Sequence, residues 1–159
     1  MRSWMIIIFV SLPIILGGCN VSSNNVDESL ENSKEVKELN YTFEGESKNW
    51  EAELVFIGEE TFIKNQEGEI DDYTTKTQSD FQLKYKGELS EIAGSTLFYS
   101  YDTGSGGSEG TRENLDKKVF ESHGSSKNGD IVPQDSIVEV TVEWDGGKES
   151  FTMENTNNQ

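Results

Sequence analysis

The chain has 159 residues, of which 33% are hydrophobic, and a formal net charge of −17 at pH 7. Such an acidic chain is repelled by nucleic acid and by anionic lipid surfaces, so we expect no nucleic-acid partner. We expect partners that are cationic, neutral or bridged by a metal ion, although the charge also serves simply to keep a surface protein soluble. The length suits one domain and is too short for the two-lobed binding proteins that serve many transporters.

The first 18 residues have the layout of a secretory signal peptide. Arg2 supplies the positive start, residues 6–16 form an almost uncharged apolar run, and Gly17 and Gly18 are the small residues before a cleavage site. The apolar run is shorter than the roughly 20 residues that a membrane-spanning helix needs. The run is followed by Cys19, the one cysteine of the chain, so a disulfide within the chain is impossible.

Leu16, Gly17, Gly18 and Cys19 resemble the lipobox of bacterial lipoproteins. The resemblance implies cleavage before Cys19, a diacylglyceryl thioether on its sulfur, and localisation at the extracytoplasmic face of the cell membrane. Two or three acyl chains anchor a protein stably, whereas one chain is marginal. We therefore expect a membrane anchor on Cys19 that carries palmitate or a similar acyl chain.

Residues 19–39 are polar and contain no aromatic side chain, so they have little to bury. We interpret them as a flexible, acidic spacer that is disordered. A β domain is predicted from residue 40 to residue 155, and residues 156–159 are predicted to be a disordered tail.

Four runs in the predicted domain alternate between apolar and polar residues, as strands with one buried face do. Their apolar positions are Trp50, Ala52, Leu54 and Phe56; Phe81, Leu83 and Tyr85; Leu97, Tyr99 and Tyr101; and Val138, Val140, Val142 and Trp144. Weaker strand candidates are residues 41–45, 60–65, 70–77, 118–122 and 148–153, and residues 88–93 indicate one helical turn. Many short strands separated by turns predict an all-β fold, either a single antiparallel sandwich of immunoglobulin-like type or a barrel.

Three segments extend the resemblance beyond the signal: residues 50–53, residues 83–87 and residues 140–146. Together with the lipobox and the spacer, they are similar to small lipoproteins of Bacillus-type Gram-positive bacteria. The resemblance implies a small, lipid-anchored envelope protein and implies no activity.

A segment rich in glycine and serine, residues 101–112, is the most unusual one in the chain. Residues 106–110 match the G-x-S-x-G pattern of a hydrolase nucleophile elbow, but no helix follows and no histidine is placed to activate the serine. The segment also lacks the lysine of a phosphate-binding loop. We therefore predict a mobile loop between two strands, with a possible binding surface formed by Asp102, Ser105, Ser108, Glu109 and Arg112.

Other residues with chemical potential carry weaker signals. A lone histidine such as His123 makes a poor zinc site, so we interpret it as a surface or capping residue. Asp71 and Asp72 do not have the spacing of an EF-hand loop, and adjacent strand residues point to opposite faces. We predict no catalytic residue, no metal ligand and no cofactor, and a weak calcium site built from scattered carboxylates stays open as an alternative.

The sequence thus predicts a membrane-anchored extracytoplasmic lipoprotein that is a non-enzymatic binding or envelope-accessory module. Its expected partner is an envelope protein, a wall polymer or a small ligand. The alternatives are a small surface hydrolase that uses a pair of carboxylates and a weak calcium-binding envelope protein.

Overall fold

A computed structural model describes residues 33–157 of the chain, which form eight strands and one short 3₁₀ helix. Within this range no helix has the length and hydropathy that crossing a bilayer requires. The helix, Leu89–Glu91, lies within the predicted helical turn. The strands are β1 (Ser33–Glu46), β2 (Trp50–Lys64), β3 (Ile70–Tyr85), β4 (Leu97–Asp102), β5 (Gly107–Arg112), β6 (Val119–Lys127), β7 (Val138–Trp144) and β8 (Gly147–Asn155).

The strands form one antiparallel sheet in the order β5-β4-β7-β8-β1-β2-β3-β6. The two edge strands of this order meet through side chains, because the hydroxyl oxygens of Ser108 on β5 and Ser122 on β6 lie 3.5 Å apart. The sheet is therefore a nearly closed, barrel-like structure. The all-β prediction is confirmed, and of the two predicted architectures the structure has the barrel-like one.

The four alternating runs bury their apolar positions as predicted, except that Trp144 is only partly buried. Val138, Val140 and Val142 on β7 are each fully buried, and Leu97, Tyr99 and Tyr101 of the neighbouring β4 are buried beside them. At one end of the barrel, the Trp50 ring packs against those of Tyr85, Phe120 and Trp144, with centroids 5.0, 6.3 and 5.6 Å away. The inward faces of all strands except β5 thus contribute to a single core.

Closure between β1 and β8 depends on side chains as well as on the backbone. In the described part of the chain, β1 and β8 are paired at two positions, one of which is Phe43 with Asn155. Glu149 of β8 accepts hydrogen bonds from Ser47 Oγ and from the backbone and side-chain nitrogens of Asn49, in the β1–β2 turn. Burial raises the pKa of Glu149, whereas these hydrogen bonds lower it. Together the hydrogen bonds have the larger effect, so the pKa lies below its usual value. Glu149 therefore remains ionised and ties the turn to β8.

The predicted domain boundaries need correction at both ends. β1 begins at Ser33, so residues 33–39 belong to the sheet and were wrongly assigned to the spacer. They pair with β2 along their whole length, with Ser33 opposite Lys64. Because most of their side chains are polar, the sequence here lacks the alternation of apolar and polar residues that would have predicted a strand. Thr156, at the start of the predicted tail, donates its backbone N–H to Thr42. The signal peptide, Cys19 and the rest of the spacer lie outside the described residues, as do residues 158–159.

Strands β2 and β3 are longer than predicted because each joins two predicted strands into one. Residues 60–64 of the predicted strand 60–65 extend β2, and residues 70–77 join residues 81–85 in β3. The outer parts of β1–β3 carry Lys37, Glu60 and Tyr73 on one face. The Lys37 ammonium nitrogen is 2.7 Å from a Glu60 carboxylate oxygen, and the Tyr73 hydroxyl donates to the other oxygen at 2.8 Å. This polar triad ties the three strands together where few apolar side chains are buried.

Replacing Glu60 by glutamine is expected to reduce the loss of folding stability that the protein undergoes as the pH becomes acidic. Hydrogen bonds from Lys37 and then from Tyr73 lower the pKa of Glu60 in the folded protein. Its stabilising effect is therefore complete above about pH 4.5, the ordinary pKa of a glutamate, and is lost as the pH falls through the lower folded-state pKa. Urea unfolding at a series of pH values from 6 to 3 should show a smaller loss of stability for Glu60→Gln than for wild type.

Glu59→Gln is the matched control, because Glu59 lies next to Glu60 on β2 but has an exposed carboxylate paired with Lys76. This variant should retain the acid response of wild type. An unchanged acid response in Glu60→Gln would show that the triad does not contribute to the pH dependence of folding.

Candidate ligand-binding cleft

The predicted glycine-serine loop is a tight hairpin, and the prediction of a mobile loop is wrong for residues 107–112, which form β5. Thr103 closes the hairpin turn because its backbone N–H and its hydroxyl both donate to the Gly106 carbonyl oxygen, at 2.8 and 2.7 Å. Gly104 has φ of +77°, a conformation that favours glycine. On β5, a side chain at Gly110 would collide with the Tyr99 ring. Glycine therefore occurs in this strand because an aromatic side chain of β4 covers it.

The five residues of the predicted binding surface do not form a single site. Ser105 in the turn and Ser108 on β5 line a cleft between the edge strands. Asp102 and Glu109 instead line a shallow surface depression beside Glu139, which Ser108 borders as well. Arg112, at the other end of β5, donates to the Tyr99 hydroxyl at 3.2 Å and to the Glu121 carbonyl oxygen at 3.5 Å. The prediction thus located two residues of the cleft.

The cleft has a volume of about 340 Å³ and lies where the edge strands separate above the contact between Ser108 and Ser122. Its apolar lining comes from four side chains that are mostly buried: Leu54, Phe56, Tyr101 and Val132. Eight lining residues are serines or threonines with aliphatic hydroxyl groups: Thr77, Ser79, Thr103, Ser105, Ser108, Ser122, Ser125 and Ser126. This volume lies at the lower end of the range for small-molecule sites, and an apolar floor with a few polar groups is typical of them.

Thr77 is the most informative of these residues because it is 8% exposed. Its hydroxyl makes no hydrogen bond in the part of the chain that the structure describes, whereas the Thr75 hydroxyl, two residues earlier, donates to the Gly129 carbonyl at 2.8 Å. Within residues 33–157, Trp50 Nε1 is the one fully buried side-chain nitrogen or oxygen without a partner, so the Thr77 hydroxyl oxygen keeps some contact with solvent. Thr77 therefore offers an unused hydrogen-bonding group to a molecule in the cleft.

The cleft has little charge of its own. Its ionisable lining residues are His123 and Asp130, both on the exposed margin. The His123 ring is 70% exposed and contacts the Asp80 carboxylate through Nδ1 at 2.6 Å, which agrees with a surface histidine. Among the described residues, no lysine or arginine lines the cleft. The inner walls are therefore apolar or hydroxyl-bearing, and the lining residues with ionisable acidic or imidazole groups lie at the margin.

The surroundings of Ser108 differ from those of a hydrolase nucleophile. The serine lies within a strand, not at the turn between a strand and a helix that a nucleophile elbow requires. Its hydroxyl is near that of Ser122, and no histidine or carboxylate is hydrogen-bonded to it within residues 33–157. Nor does any group of three or more His, Cys, Asp or Glu side chains in this range have the geometry to hold a metal ion.

Sequence reasoning missed most of the cleft, because its lining comes from distant segments. Thr77 lies on β3, Tyr101 on β4 and Val132 in the segment that connects β6 with β7. A weak signal was present in residues 122–126, where serine and glycine follow the histidine in a strand. Comparisons with protein-family models, with curated proteins and with solved structures find no match for this chain.

Proposed function

We propose that the protein is a lipid-anchored binding module of the extracytoplasmic membrane face, and that the cleft between β5 and β6 holds its ligand. The observation that carries the binding proposal is the cleft itself, with an apolar floor and a rim of hydroxyl groups in about 340 Å³. The anchoring proposal is supported by the resemblance of residues 16–19 to a lipobox, which ends at the one cysteine of the chain.

The site is proposed to bind its ligand without transforming it. General acid–base or nucleophilic catalysis needs a reactive group within hydrogen-bond reach of a base or acid. Ser108 has Ser122 as its neighbour, and the side chain of His123 is engaged with Asp80. Asp130 is the single carboxylate among the described lining residues, so the cleft lacks the carboxylate pair that the hydrolase alternative requires, which supports a recognition role.

The position of the domain relative to the anchor supports a role close to the membrane. Thirteen residues, 20–32, separate Cys19 from the start of β1. Even a fully extended chain of this length reaches at most about 50 Å. The net charge of −17 disfavours a polyanionic partner at this surface. The proposed ligand is therefore a neutral or cationic molecule of the envelope, from an envelope protein or a wall polymer.

Photo-crosslinking in living cells tests the proposal with the anchored protein. A photoreactive benzoylphenylalanine at Ser105 lies on the rim of the cleft, whereas the same group at Asp145 lies in the β7–β8 turn. Because Leu97 pairs with Trp144 and Asp102 pairs with Glu139, this turn is at the opposite end of β4. We expect a defined adduct in the membrane fraction from the Ser105 position and none from the Asp145 position. The same adducts from both positions, or none from Ser105, would contradict a binding role for the cleft.

A further inference from the structure

We infer that the cleft binds a neutral saccharide of one or two sugar rings, either free or as part of a wall polymer. The inference rests on the proposed binding function and names the class of its ligand. It follows from three features of the cleft: the absence of lysine and arginine from its described lining, the combination of an apolar floor with hydroxyl groups, and its closure at one end.

The charged residues of the cleft lining argue against an ionic ligand. An anion would need a cationic side chain or an ordered set of N–H donors, and no lysine or arginine of the described chain lines the cleft. A small cation would need several oxygen ligands around it, whereas Asp130 is the single carboxylate in the lining and is exposed. A neutral ligand is the class that remains compatible with these walls.

The chemistry of the lining matches a sugar ring. A pyranose ring has faces formed by C–H groups, which pack on apolar and aromatic side chains, and hydroxyl groups around its edge. Tyr101 and Val132 supply an apolar surface, while the unpaired Thr77 hydroxyl can donate to a ring substituent. Burying this hydroxyl against a sugar would satisfy it, whereas a purely apolar ligand would leave it without a partner.

The shape of the cleft disfavours an extended peptide added as a strand between β5 and β6. Neighbouring strands lie about 4.8 Å apart, so two strands joined through an inserted one are separated by about 9.6 Å. The Ser108 and Ser122 hydroxyls meet inside the gap at 3.5 Å, and the Arg112 side chain crosses it to the Glu121 carbonyl. These contacts occupy the path of an inserted strand and leave a short pocket, suited to a compact ligand.

Calorimetric titration of the lipid-anchored protein tests the inference. The protein is purified in micelles of a detergent without a sugar headgroup, because a maltoside or glucoside would compete for the site. Maltose, cellobiose and N,N′-diacetylchitobiose are the neutral probes, and digalacturonate is the anionic control. We expect at least one neutral disaccharide to bind with a Kd in the millimolar range or below, and digalacturonate to bind at least tenfold more weakly.

Two variants connect binding to the cleft. Thr77→Val removes the free hydroxyl with little change in shape, and we expect it to weaken disaccharide binding about tenfold, the value of one hydrogen bond. Its melting temperature should not fall, because that hydroxyl has no partner in the described protein. Thr74→Val is the control on the opposite face of β3, and should bind like wild type. Equal binding by Thr77→Val and wild type would overturn the inference.

The source of the saccharide is resolved by sedimentation with purified cell-wall sacculi. If the protein co-sediments with sacculi and a neutral disaccharide inhibits this, the ligand is part of a wall polymer. If the protein binds a disaccharide but does not co-sediment, the ligand is a free sugar. Absence of binding to every neutral probe, or equal binding of digalacturonate, would overturn the saccharide inference. If a specific adduct at Ser105 forms nonetheless and contains no carbohydrate, the saccharide inference fails while the proposed binding function stands.

Discussion

Val140→Asp is expected to destabilise the domain by about 4 kcal/mol or more, which is a large part of the stability of a single domain. Val140 is fully buried on β7, between the equally buried Val138 and Val142, and pairs with Tyr101 of β4 and Phe151 of β8. A carboxylate at this point would have no cation within the core. It would either remain charged without a partner or take up a proton, and both outcomes cost free energy.

The next residue along β7 provides the control. Thr141 faces outward, with its hydroxyl 3.1 Å from that of Ser150. Thr141→Asp is expected to cost less than about 1 kcal/mol, since surface substitutions rarely cost more. Denaturant unfolding of both variants measures the difference. Should the aspartate at 140 prevent folding altogether, Val140→Thr, which buries one hydroxyl in nearly the same shape, is expected to cost about 1–3 kcal/mol. A larger loss from Thr141→Asp than from Val140→Asp would show that the register of β7 is wrong by one residue.

Cys19→Ser is expected to abolish lipidation and release the protein from the membrane. In the anchoring proposal the thiol of Cys19 carries the thioether, and the chain contains no second cysteine that could replace it. Radiolabelled palmitate should enter the wild-type protein and not the variant. Stable anchoring needs at least two acyl chains. Cell fractionation should therefore show the wild type in the membrane pellet and a larger share of the variant in the soluble fraction.

Ser22→Ala is a suitable control for the anchor, because it alters a residue near Cys19 and leaves the thiol in place. This variant should incorporate palmitate as the wild type does. Equal labelling of the Cys19→Ser variant and the wild type would refute the anchoring proposal.

The strongly alternating runs allowed the sequence to predict much of the fold. In the segment containing Val138, Val140 and Val142, every second residue is apolar, and a strand that buries one face is the arrangement that suits such a pattern. The same reasoning correctly predicted the inward face of β2, β3 and β4. It was less successful for residues 33–39, where cross-strand polar contacts such as Lys37 with Glu60 hold a strand with few buried side chains.

Strand β5 and the cleft depended on tertiary structure. Glycine has low strand propensity, so the sequence of β5 is typical of a loop, yet the Tyr99 ring covers Gly110 and the hairpin turn pairs the strand with β4. The sequence by itself predicted an all-β domain, its buried faces and a lipidation signal, since each depends on residues close together in the chain. The tertiary structure decided which hydroxyls share a cleft, because curling of the sheet brings Thr77, Ser108 and Val132 together from positions that no local pattern connects.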